Sequence, residues 1–116
     1  MKIKMLGILA AFTFGNGVAY GADCGEAPHS LPFIPKGENA VADDIRTARL
    51  AVVEYSNAVD KYLLCMDERA TRILPYLTKE QKGRWEEDLA ELHEQRRDVQ
   101  TEMNLAIRNF RKAGRE

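Results

Sequence analysis

Residues 41–73, VADDIRTARLAVVEYSNAVDKYLLCMDERATRI, decide the fold. Val41, Ile45, Ala48, Val52, Tyr55, Val59, Tyr62 and Met66 recur at alternating steps of four and three, and Arg69 and Ile73 continue the series. At about 3.6 residues per turn this alternation keeps one apolar stripe on one side of a helix, the pattern of a coiled-coil seam. The same alternation returns after Pro75 in Trp85, Leu89, Leu92, Arg96, Val99, Met103, Ala106 and Phe110. Two long helices are therefore expected. Pro75 ends the first at or just before Leu74, because the proline ring disfavours the helical conformation of the residue before it. Thr78-Lys79-Glu80-Gln81 opens the second as a capping box, in which Thr78 accepts from a first-turn amide and Gln81 reaches back to the cap.

The two stripes also fit each other. In an antiparallel hairpin, facing positions have numbers that add to a near-constant total, and the two seams satisfy this throughout. Met66 meets Leu89, Tyr62 meets Leu92, Val59 meets Arg96, Tyr55 meets Val99, Val52 meets Met103, Ala48 meets Ala106 and Ile45 meets Phe110. The fold class expected is all-α, an antiparallel two-helix coiled-coil hairpin over 40–113 with helices at about 40–74 and 79–112. Two arginines interrupt the stripes. Arg69 faces Trp85, where a guanidinium can stack on the indole, and Arg96 faces Val59, over which its stem can lie while its charge goes to solvent. The layer of Ala48 on Ala106 lets the helices approach closely, with an exposed binding slot as the alternative.

Ahead of the hairpin, residues 22–39 form a proline-rich arm. Pro28, Pro32 and Pro35 exclude helix and favour extended backbone, yet Leu31, Phe33 and Ile34 require cover. Around Cys65 the first helix is apolar on every side, in Tyr62-Leu63-Leu64-Cys65-Met66, and Leu50 and Val53 share a face with Leu64 away from the seam. The arm is the simplest cover for that outer face. Its reach from Cys24 to Ala40 is about 50 Å at ~3.1 Å per residue, against about 37 Å from Ala40 to Cys65 along a helix.

Residues 1–21 have the layout of a secretory signal peptide. Lys2 and Lys4 precede the apolar run Met5 to Phe12, and small residues around Ala19-Tyr20-Gly21 place cleavage before Ala22, with a cut after Ala19 as competitor. The run is too short and too broken by glycine for a spanning helix, and Asp23 beside Cys24 departs from the lipoprotein pattern. The expected product is exported, periplasmic or secreted, without stable membrane insertion. Two cysteines, Cys24 and Cys65, then read as one disulfide of an oxidising compartment, with a bridge between chains as the competitor.

Cleavage removes two of the 17 Lys and Arg, leaving 15 against 18 Asp and Glu, a formal charge of −3. That balance offers no electrostatic footprint for nucleic acid. Residues with catalytic potential are scattered. His93, flanked by Glu94 beside the seam on a polar helix, reads as a solvated surface histidine, and His29 lies in the arm beside Pro28 with no carboxylate or nucleophile at motif spacing. Asp43-Asp44 and Glu86-Glu87 point to different faces, and two cysteines with two distant histidines lack zinc-site spacing. No catalytic residues, metal site or cofactor are expected, and the chain reads as something other than an enzyme.

Leu77-Thr78-Lys79-Glu80-Gln81 resembles the Leu-Thr-x-x-Gln motif of the CpxP/Spy family of periplasmic chaperones. That resemblance implies a helical-hairpin dimer binding unfolded proteins on a concave face. More broadly, Cys24-Gly25 with the proline arm and Tyr55…Tyr62-Leu63-Leu64-Cys65 is similar to a group of uncharacterised small exported bacterial proteins, a likeness that implies no activity.

The function expected is that of an interaction or scaffold protein whose partners are proteins, a second copy of itself included. Leu105 and Ile107, which no stripe accounts for, and Phe33 and Ile34 in the arm are the candidate partner-binding residues. The alternative is a small chaperone or protein inhibitor that binds clients.

Overall fold

A computed structural model describes residues 24–114; the expected signal peptide and its cleavage point lie outside the described residues. Helix α1 spans Ala42–Ile73 and helix α2 spans Lys79–Lys112, with short 3-10 turns at Gly37–Asn39 and Leu74–Tyr76. The fold is an all-α hairpin, and no strand occurs among the described residues. Contacts between the helices follow an antiparallel register. Arg69 lies over the Trp85 ring near the turn, Asp60 pairs with Arg96 further along, and Ser56 accepts from Gln100 Nε2 at 3.1 Å beyond that.

The seam is dry over most of its length. Ile45, Ala48, Val52, Tyr55, Val59 and Met66 of α1 and Leu92, Val99, Met103, Ala106 and Phe110 of α2 are buried, with Val59 fully enclosed. Toward the turn the cover thins, and Tyr62, Trp85 and Leu89 are only half-buried.

Both helices begin with a side chain turned back onto the main chain. At α1 the Asp44 carboxylate accepts from the Val41 amide at 3.1 Å, and Asp43 and Asp44 sit where the helix dipole favours negative charge. Val41 was expected on the seam, but it is the cap residue in extended conformation and is exposed, so Ala40 fills the core position instead. At α2 the Gln81 amide donates to Thr78 Oγ1 at 3.1 Å, while the Thr78 amide donates to Gln81 Oε1 at 2.9 Å. Between them α1 stops at Ile73, and Pro75 lies within the 3-10 turn.

The arm takes a different course from the one expected. It was expected to cover the outer face of α1, yet Leu50, Val53 and Leu64 all remain exposed. Instead the arm lies in the groove between the helices: Ala27 and His29 flank Tyr62 and Leu92, Ile34 packs against the core, and the Gly37–Asn39 turn seats on α2. Gly37 has no room for a side chain. A Cβ there would stand 2.0 Å from the Ala106 carbonyl oxygen and 2.6 Å from the Phe110 amide nitrogen. The Ala48–Ala106 layer, weighed as an exposed slot, is buried next to this turn. The groove wins because its two alanines let backbone settle onto backbone, enclosing Gly37 and Ala40, whereas the outer face of α1 offers only isolated side chains of one helix.

Candidate interaction surfaces

Cys24 and Cys65 are bonded within the chain, with Cα atoms 5.7 Å apart, and this fixes the start of the arm on the half of α1 nearer the turn. With the arm seated, the four candidate partner-binding residues divide. Phe33 is 81% exposed and Leu105 46%, whereas Ile34 and Ile107 are half-buried against the core. Ile107 is therefore not the unpartnered residue it was expected to be; it lines a shallow crevice with Val52, Val53 and Met103. The heptad reading missed this because Ile107 follows Ala106, whose small side chain leaves room for its neighbour to lean over the seam.

Arg96 also departs from expectation. Its guanidinium forms an ion pair and hydrogen bond with Asp60 across the helices rather than ending in solvent. The Arg69 guanidinium stands 5.9 Å from the centroid of Trp85, within cation–π range.

Two concavities flank the arm. At the turn end a cleft of about 500 Å³ has a floor of Tyr62, Met66, Trp85, Leu89 and Leu92, with Ala27 and His29 on the arm side and Asp88, Glu91 and Gln95 on the rim. Burial pushes the Tyr62 hydroxyl above its ordinary pKa of 10.0; Arg69 opposes that shift and Asp88 adds to it. At the other end a groove of about 550 Å³ runs between the arm and α1, lined by Phe33, Pro35, Ala40, Ala48 and Ala51 with Lys36, Asp44 and Thr47 at its edge. The third surface is convex: the outer side of α1, where Leu50 and Leu64 are each 67% exposed and Val53 54%.

His93 is exposed on α2 beside Arg96, Arg97 and Asp60, His29 is exposed on the arm, and both cysteines are bonded, so neither cysteine has a thiol. Among the described residues no three or more of His, Cys, Asp and Glu converge to hold a metal ion, and no helix is long and apolar enough to cross a membrane.

Gly37, Ala40 and the turn-end cleft were not singled out from the sequence. The signal that locates the first two is a run of small residues, Gly37 and Ala40, opposite the expected Ala48–Ala106 layer, where a third backbone can fit. The cleft has no local signal, since it arises from the arm passing over a seam whose residues otherwise read as core. Comparison with protein-family models, curated protein sequences and solved structures finds no match for this chain.

Proposed function

We propose that this chain is an exported, periplasmic interaction or scaffold protein, without catalysis, that presents helical and arm surfaces to protein partners. The observation that supports this reading is the apolar surface left open outside a seam that is buried over most of its length. Leu31 and Phe33 on the arm and Leu50, Val53 and Leu64 on α1 are exposed, while eleven residues of the two helices enclose the core. An intramolecular disulfide suits an oxidising compartment. The arm is the surface to test against other proteins. Affinity capture from an envelope extract is expected to retain a discrete partner with the wild-type chain and to lose it with Leu31→Ser/Phe33→Ser. Equal capture by both, or none by either, overturns the arm as a partner surface.

The turn-end cleft favours a second reading, that of a client-binding chaperone. It exposes Trp85, Tyr62 and Leu89 in part beside the Thr78–Gln81 cap that resembles the CpxP/Spy motif. Suppression of the aggregation of an unrelated unfolded protein, lost in Trp85→Ala, is the result this reading expects; a wild-type chain without effect removes it.

A further inference from the structure

The outer side of α1 is self-complementary. At about 100° per residue, Arg46, Leu50, Asn57, Leu64 and Glu68 fall within roughly 20° of one line along the helix, and all five are exposed. Their order reads the same in both directions with the charges exchanged. Leu50 and Leu64 lie equally far before and after Asn57, and so do Arg46 and Glu68.

We propose that this face is the interface of a homodimer, in which two copies of α1 pack antiparallel about a two-fold axis through Asn57. The inference rests on the interaction role proposed above and names the partner for this face as a second copy of the chain. Such packing sets Leu50 against the partner's Leu64 and Arg46 against the partner's Glu68, each contact occurring twice, as an isologous interface requires. Val53 falls opposite the partner's Lys61, whose methylene stem covers it while the ammonium lies beside Glu54. The two Asn57 amides meet on the axis, where one carbonyl and one NH2 group satisfy each other. Turning the second helix parallel would instead bring Arg46 onto Arg46 and Glu68 onto Glu68, so the charges select the antiparallel arrangement. Arg46 already pairs with Asp43 of its own chain, but both groups are exposed and the exchange of partners costs little. The arm lies in the groove between the helices and leaves this face open.

Sedimentation equilibrium of the exported, disulfide-bonded chain tests the proposal, with circular dichroism confirming helicity in each variant. The wild type is expected to show a concentration-dependent monomer–dimer equilibrium. Arg46→Glu alone and Glu68→Arg alone, each creating two like-charge contacts, are expected to move its midpoint to roughly tenfold higher concentration. The double swap Arg46→Glu/Glu68→Arg restores the pairing and should restore the midpoint, and Leu50→Glu/Leu64→Glu should leave only monomer. A wild-type chain that stays monomeric at high concentration overturns the dimer, whatever the arm captures from an envelope extract. A dimer indifferent to both single swaps, or not restored by the double swap, places the contact elsewhere and equally overturns it.

Discussion

The two ends of the hairpin are held together by different means. At the end away from the turn, Ala48 faces Ala106, the helices come close, and the Gly37–Asn39 turn is laid directly onto the backbone of α2, so three segments share one dry core. At the turn end, Tyr62, Trp85 and Leu89 meet without closing, so the cleft there opens onto the seam itself, whereas the groove of similar size at the other end lies between the arm and α1 beside a buried seam. There the chain depends on the Cys24–Cys65 bond, the Thr78–Gln81 capping box and the Arg69–Trp85 stack. Small side chains thus give stability by letting backbones approach, and large ones at the same seam leave an interior that needs other ties. A surface suited to recognition results where packing is incomplete.

The sharpest way to break this contrast is to truncate one large aromatic at each end. Phe110→Ala removes a side chain that is 7% exposed in the core at the closed end, and is expected to cost about 3–5 kcal/mol in urea unfolding. Trp85→Ala, at a half-buried position lining the cleft, should cost clearly less despite its greater size. Equal losses would mean that the turn end is packed as tightly as the other. Reduction of the disulfide comes next, with an expected loss of about 2–4 kcal/mol from the freed loop. If the two ends are separately held, limited proteolysis should cut the arm around Phe33 before the helices melt on heating; simultaneous loss of both would show one cooperative unit.

Gly37→Ala probes the closed end with a single methyl. Its φ lies in the ordinary negative range, so the demand for glycine is one of space alone. Because the obstacles are main-chain atoms of Ala106 and Phe110, relief requires the arm to lift, and the expected cost is about 1–3 kcal/mol. Increased hydrogen exchange at 37–40 with unchanged helicity is the accompanying signature. A variant as stable as the wild type would show that the arm contributes little there.

How much of this was legible depends on the range of the interaction. The helices, their register and the capping box were readable, because heptad spacing and an i to i+3 side-chain contact are written locally, and Arg69 over Trp85 followed from the register. The course of the arm was not. Reach and apolar content allowed it to lie on either face of α1, and the choice was made by Ala48 and Ala106, two residues that reveal their significance only once a third backbone is laid beside them. Val41 and Arg96 failed for a related reason. The first continues the heptad in sequence but sits outside the helix as its cap, and the second is offered Asp60, the residue next to Val59 on the facing helix, which the pairing with Val59 alone does not bring forward.

The smallest effect expected is an alkaline one, and it compares the two tyrosines of the seam. Tyr55 lies in the dry middle, 6% exposed, with its hydroxyl donating to Gln95 Oε1 at 3.4 Å. Burial pushes its pKa above the ordinary 10.0, with the positive charge of Arg96 drawing it partly back. Tyr62, at the mouth of the cleft, is raised in the same direction and also chiefly by burial. A folded chain that holds a phenolic proton more tightly than the unfolded chain loses stability as that proton leaves. The contribution is therefore complete below the unfolded value of 10.0 and is lost as pH rises through the higher folded-state values. Urea midpoints of the wild type should fall above pH 10, and relative to it Tyr55→Phe/Tyr62→Phe should fall less steeply, since lysines titrate alike in both. The single variants then rank the two environments. If the steep decline survives Tyr55→Phe and disappears with Tyr62→Phe, the comparison between the ends is reversed, and the drier surroundings belong to the turn.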